Sequence, residues 1–204
     1  MKIDSGFSAI GDSTALRCTK GTLKLKSTTE NPAAKASPVL RGLHWLMALA
    51  IVAAWTLIYA DELYVGRFSL QRVLTNAHIL AGLAVLVLVP LRLAVRWIRP
   101  LPPIVPALPR WQARLEVLVH AALYGLMLAT PILGLLVAQS SGRVVAIFGL
   151  ALPSLIGRDI ALSHSIEAVH ENLGLALLYL VAAHAAAAMV HHLIRRDNTL
   201  RRMV

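Results

Sequence analysis

The chain is short of the features that build a soluble domain. It has one cysteine, Cys18, so an internal disulfide is excluded. Charged residues are only 15% of the chain against 57% hydrophobic, and mean hydropathy is +0.68, far from a water-soluble protein. Acidic residues are especially few: 10 Asp and Glu against 20 Lys and Arg, for a net charge of +10. A basic chain can mean nucleic-acid binding, but long apolar runs argue against it, and loop asymmetry at a membrane explains the charge better. Residues 1–36 contain no apolar run, so they are not expected to act as a secretory signal. They are rich in Ser, Thr and Lys, and the expectation is a disordered cytoplasmic tail.

What is present is four apolar stretches, at about 39–60, 73–98, 111–139 and 165–194, each long enough to cross a bilayer as a helix. The expected fold is an all-α, four-helix transmembrane bundle over residues 37–204. Asp61-Glu62 stops the first span and a Pro-rich run from Pro100 ends the second. Pro131 is an expected kink in the third. Residues 140–164 hold an apolar piece too short to span and are expected in the interface. All but four of the 20 Lys and Arg fall before or at the start of span one, between or within the facing ends of spans two and three, or after span four. This asymmetry predicts that both termini are cytoplasmic. The exceptions, Arg67, Arg72, Arg143 and Arg158, are then periplasmic. Trp45, Trp97 and Trp111 fall on the cytoplasmic boundary, as an aromatic belt would.

Ionisable side chains inside a bilayer are rare and usually functional. His170 and His184 are fourteen residues apart in the fourth span. At ~100° per residue they share a face, and at ~1.5 Å per residue they lie ~21 Å apart in depth. His44 opens span one from the cytoplasmic side and His78 opens span two from the periplasmic side. By depth, His78 pairs with His170, and His44 with His184. Two imidazoles at each of two depths suit two bis-histidine haem b sites. No C-x-x-C-H run is present, so covalent c-type attachment is excluded. Gly82 and Gly174 follow His78 and His170 by one turn, where a flat macrocycle needs close approach to backbone; helix packing is the other reading of such glycines.

Other readings of the histidines stay open at this point. A single buried histidine is as often bonded to a neighbouring helix. A zinc site would need its ligands to converge on one ion. His120, at nearly the depth of His44 and His184, is a rival axial ligand, or with Arg92 a contact for a haem propionate or a quinone. His191 and His192 are expected at the interface, and His164 at a loop end.

The ordered motifs R-G-L-H-W (41–45), N-A-H-I-L-A-G (76–82), P-x-P-P-I-V-P (100–106), P-I-L-G-L (131–135), F-G-L-x-L-P (148–153), H-E-N-L-G (170–174), L-V-A-A-H-A-A-A-A (180–188) and H-H-x-x-x-x-D-N-T-L-x-R-M (191–203) resemble the bacterial cytochrome b561 family over about residues 37–204. The resemblance implies a four-helix dihaem b cytochrome of the inner membrane with axial ligands His44, His78, His170 and His184. Some such proteins are superoxide oxidases that pass electrons from periplasmic superoxide to ubiquinone; others are the cytochrome b partner of a hydrogenase or other dehydrogenase. On the first reading, Arg67, Arg72, Arg143 and Arg158 would steer superoxide, or simply anchor at headgroups or pair with Asp61, Glu62 and Asp159. A quinone site is expected at the cytoplasmic end, near His44, His120, His184 and Arg92. The long tail departs from the family pattern. So does Pro90, which is expected to disturb helix two locally.

Overall fold

The computed structural model describes residues 35–204 except Val65 and Phe148, together with a two-residue antiparallel pairing of β1 (Cys18–Thr19) with β2 (Thr22–Leu23). The tail expected over residues 1–36 otherwise lies outside the described residues.

Four long helices carry the fold: α1 (Pro38–Leu63), α2 (Phe68–Ile98), α3 (Arg110–Ser140) and α4 (Ile160–Val190), the last continued by a π-helical turn at His191–Arg195. All four are long and apolar enough to cross a membrane. A helix of 31 residues is ~46 Å long, more than the ~30 Å hydrocarbon core, so such helices tilt or project at their ends. The chain is a multi-pass membrane protein.

The helix starts follow from local chemistry. Ser37 accepts the Leu40 N–H at 3.3 Å, with Pro38 at the first helical position, where its missing N–H costs nothing. Asp159 accepts the Leu162 N–H at 3.0 Å and starts α4 at Ile160, five residues before the apolar run suggested. His164 therefore stands inside α4 and not at a loop end. Helix α2 likewise begins at Phe68 rather than near Val73. Pro90 and Pro131 both sit inside helices that run on past them.

Helix α1 packs chiefly on α2, and α3 on α4, while α2 meets α3 more lightly. A small core joins the two hairpins, built from Met47, Ile51, Val85, Val89, Leu123, Met127 and Leu177. Most other apolar side chains, such as Val87, Val117 and Tyr179, face outward, as lipid contact requires.

The two ends are built differently. At the end carrying Ala36 and the C-terminus, the segment after Arg195 folds back over the α2–α3 connection. The Asn198 side chain accepts the Val105 N–H at 2.9 Å and donates to the Pro103 carbonyl at 3.3 Å. Arg202 donates to the Pro102 carbonyl at 2.6 Å and lies 3.7 Å from Glu116. Asp197 takes His191 Nδ1 at 2.5 Å and the Thr199 N–H at 2.9 Å. Burial works against the Asp197 carboxylate, but these hydrogen bonds prevail and hold its carboxyl below the ordinary value. Trp97 and Trp111, flanking the same connection, are exposed, as residues of an interfacial belt would be.

At the opposite end lies the α3–α4 connection. It holds an antiparallel pair, β3 (Ala146–Ile147) with β4 (Leu150–Ala151). Gln139 clamps it by donating to the Pro153 carbonyl at 3.0 Å and accepting the Leu155 N–H at 2.9 Å.

Candidate cofactor site

The histidines fall into two tiers. Near the end opposite the C-terminus, His78 of α2 and His170 of α4 face each other with ring centroids 6.2 Å apart and planes 87° apart. Near the terminal end, His44 of α1 and His184 of α4 are 6.5 Å apart with planes at 77°. These are the two pairs that depth predicted.

In the first tier the ring orientation is set by the backbone. His78 Nδ1 lies 2.8 Å from the Ala54 carbonyl oxygen, and His170 Nδ1 lies 2.9 Å from that of Thr130. A carbonyl only accepts, so each Nδ1 carries the proton and each Nε2 keeps its lone pair for a metal. Both rings line a cavity of about 620 Å³, whose wall also includes Trp55, Gly82, Thr130, Gly134 and Gly174. Gly134 is the glycine that this site requires. A Cβ there would stand 2.9 Å from His170 Cε1, closer than side-chain contacts allow. Gly82 and Gly174, singled out by spacing, meet nothing nearer than 3.7 Å and 3.9 Å. Gly134 belongs to the P-I-L-G-L motif, but spacing along the chain gives it no link to His170, and it gives Trp55 none either.

The second tier has a third imidazole. His120 lies 5.4 Å from His184, centroid to centroid, with its Nδ1 2.7 Å from the Glu116 carbonyl. Arg92 is buried on α2, and its Nε donates to Tyr124 Oη at 3.2 Å. Among the described residues, no three His, Cys, Asp or Glu side chains converge on a point suited to one metal ion, which disfavours zinc.

Of the four arginines expected to face the periplasm, all are exposed. Arg143 lines the large cavity, and Arg143 and Arg158 line an adjoining pocket of about 240 Å³. Arg67 lies over the Tyr64 ring at 5.9 Å. Among the described residues none of the four pairs with Asp61, Glu62 or Asp159. Glu62, Glu167 and Glu171 also line the large cavity, alongside Arg143 and His164. That acidic component was not foreseen.

Four membrane-length helices with facing imidazoles at two levels define an integral membrane protein with paired histidines between its helices. The family described as prokaryotic cytochrome b561 matches residues 35–204, and the chain belongs to it. The chain is 32% identical over 167 residues to the probable superoxide oxidase CybB of Yersinia pestis, covering 80% of this chain and 92% of that protein. It is 32% identical over 162 residues to cytochrome b561 homolog 1 of Escherichia coli (strain K12), covering 79% and 92%. To homolog 2 of the same organism it is 29% identical over 174 residues, covering 79% and 86%. The chain is thus a multi-pass protein of the bacterial inner membrane, in a family of haem b proteins that transfer electrons.

The first tier fits that cofactor on its own geometry. A metal–imidazole bond is about 2 Å, so two rings bonded to one iron from opposite sides have centroids roughly 6 Å apart, as His78 and His170 do. The buried Thr130 Oγ1, in the cavity wall, has no protein partner. The His120–His184 separation is short for two ligands of one iron, which favours His44 as the partner of His184.

Proposed function

We propose that the chain is a dihaem b cytochrome that carries electrons across the inner membrane, with axial pairs His78/His170 and His44/His184. The observation that carries this reading is the paired spacing at two levels, 6.2 Å and 6.5 Å, with both Nδ1 atoms of the first pair engaged by carbonyls. Bound haem supplies a one-electron carrier in each tier. A haem held by two imidazoles, as His78/His170 and His44/His184 would hold it, would leave no open site for oxygen, so exchange with a donor would be outer-sphere. The asymmetry of the basic residues supports cytoplasmic termini, which would put the His78/His170 tier on the periplasmic side.

The donor we propose is superoxide and the acceptor ubiquinone, as the name of the Yersinia relative and the family resemblance suggest. Two superoxide ions would each give up one electron and leave as dioxygen, and the quinone would take two electrons and two protons. Arg143 and Arg158, beside the periplasmic cavity, are the cations placed to attract the anion. The quinone would lie at the cytoplasmic end, near His120. Stopped-flow mixing of the purified protein with superoxide, with and without quinone, tests this: haem reduction should be fast and quinone should reoxidise it. No reduction by superoxide sinks the donor assignment.

One observation favours a second reading. Glu62, Glu167 and Glu171 line the same cavity and would repel superoxide while attracting a basic protein surface. On that reading the chain is the cytochrome b subunit of a hydrogenase or other dehydrogenase, and it should copurify with a catalytic partner.

A further inference from the structure

Helix α2 repeats the spacing of α4. His78 and Arg92 are fourteen residues apart, as are His170 and His184. The same arithmetic puts Arg92 on the face of His78 and ~21 Å further along, in the tier of His44 and His184. Its charge is within Coulombic reach of His44, His120 and His184.

Arg92 is a cation buried in a membrane helix, with only 4% of its surface exposed. Its Nη1 is buried and has no hydrogen-bond partner. Among the described residues no carboxylate lies within salt-bridge distance of it. The nearest polar partner is neutral: Tyr124 Oη, one helical turn beyond His120 on α3, accepts from Arg92 Nε. That bond leaves the phenol's own proton free to be donated elsewhere. An uncompensated buried charge is costly, so a guanidinium held this way needs an anion.

We infer that Arg92 and Tyr124 form a carboxylate site for a propionate of the haem in the His44/His184 tier. The inference rests on the haem reading above. Arg92 Nη1, buried and unpartnered, and the Tyr124 hydroxyl, with its own proton to give, are donors on two hydrogen-bonded side chains from two helices, and guanidinium suits carboxylate better than ammonium does. A neutral quinone oxygen could accept the same hydrogen bonds but would not neutralise the charge.

The test uses the purified holoprotein and its Arg92→Met, Arg92→Lys and Tyr124→Phe variants. Haem content and the potential of each haem are the readouts. Removing a cation beside a haem favours the ferric form, so Arg92→Met should keep two haems and lower one potential by ~59 mV, a tenfold shift for one electron. The other potential should stay put. Arg92→Lys should recover much of the loss, and Tyr124→Phe should shift the same haem less. If Arg92→Met sheds a haem, the lysine and phenylalanine variants carry the test. Two haems with unmoved potentials in all three variants overturn this inference alone. If potentials hold but the variants abolish a shift that decylubiquinone produces in the native protein, the anion is the quinone's, which also overturns it. A native protein without haem b overturns the haem reading first, and this inference with it.

Discussion

Trp45 Nε1 donates to the Met203 carbonyl at 2.9 Å, tying the residue beside His44 to a segment 158 positions away. Ala36 N–H to the Arg202 carbonyl, at 3.0 Å, closes the same end. The terminal motif that marks this family is therefore a latch over the start of α1 and the α2–α3 connection. Its loss should be felt first at His44.

The tiers should separate by mutation. His170→Ala should remove mainly the haem of the first tier, and His44→Ala mainly that of the second, leaving about one haem per chain in each case. Haem quantitation with potentiometry checks this. Either variant retaining two bis-histidine haems would show the pairing to be wrong.

Gly134→Ala should damage the first tier although it removes no ligand. The added methyl, 2.9 Å from His170 Cε1, must push the ring or the helix aside, and such overpacking costs about 1–3 kcal/mol. Gly82→Ala, with 3.7 Å to its nearest neighbour, should be tolerated. Equal haem loss in both variants would contradict this.

Asn198→Ala removes two hydrogen bonds to the α2–α3 connection. At about 1 kcal/mol each, the loss is about 2 kcal/mol. Thermal unfolding of the detergent-solubilised protein should show it, with the first-tier haem spectrum unchanged.

Asp197 should give the latch an acid limit. Its carboxyl is held below the ordinary value in the folded protein, so its contribution is complete above that value and fades as pH falls through the folded one. Asp197→Asn should flatten the stability profile in that acidic window, read by thermal unfolding at stepped pH. An identical profile in the variant would remove Asp197 from the account.

Charge at the mouth of the cavity lined by Arg143, Glu167 and Glu171 distinguishes the two donor readings. Arg143→Gln with Arg158→Gln should slow reduction by superoxide, and salt should slow the native protein more than this variant. Glu167→Gln with Glu171→Gln should speed it. If the native rate is slow and indifferent to salt, the dehydrogenase-subunit reading takes over.

Four helices and the two histidine pairs were legible because each depends on one-dimensional spacing: an apolar run of bilayer length, and fourteen residues between imidazoles. Helix ends were less so. Helix α4 starts five residues early because Asp159 caps it, a local signal that the apolar run obscured. What spacing could not reveal were contacts between helices. Gly134 matters only because His170 arrives from α4, Tyr124 because Arg92 arrives from α2, and the three glutamates because α1 and α4 meet at one mouth. The latch shows the same limit: D-N-T-L-x-R-M was visible as a string, but its partners lie about a hundred residues away.

The light contact between α2 and α3, beside dense packing within each hairpin, bears on how the protein is made. The hairpins can insert and pair early, each from neighbouring sequence. Their docking leaves space between facing imidazoles that side chains do not fill, so the cofactor would act as mortar between them. Haem supply would then set how much protein survives.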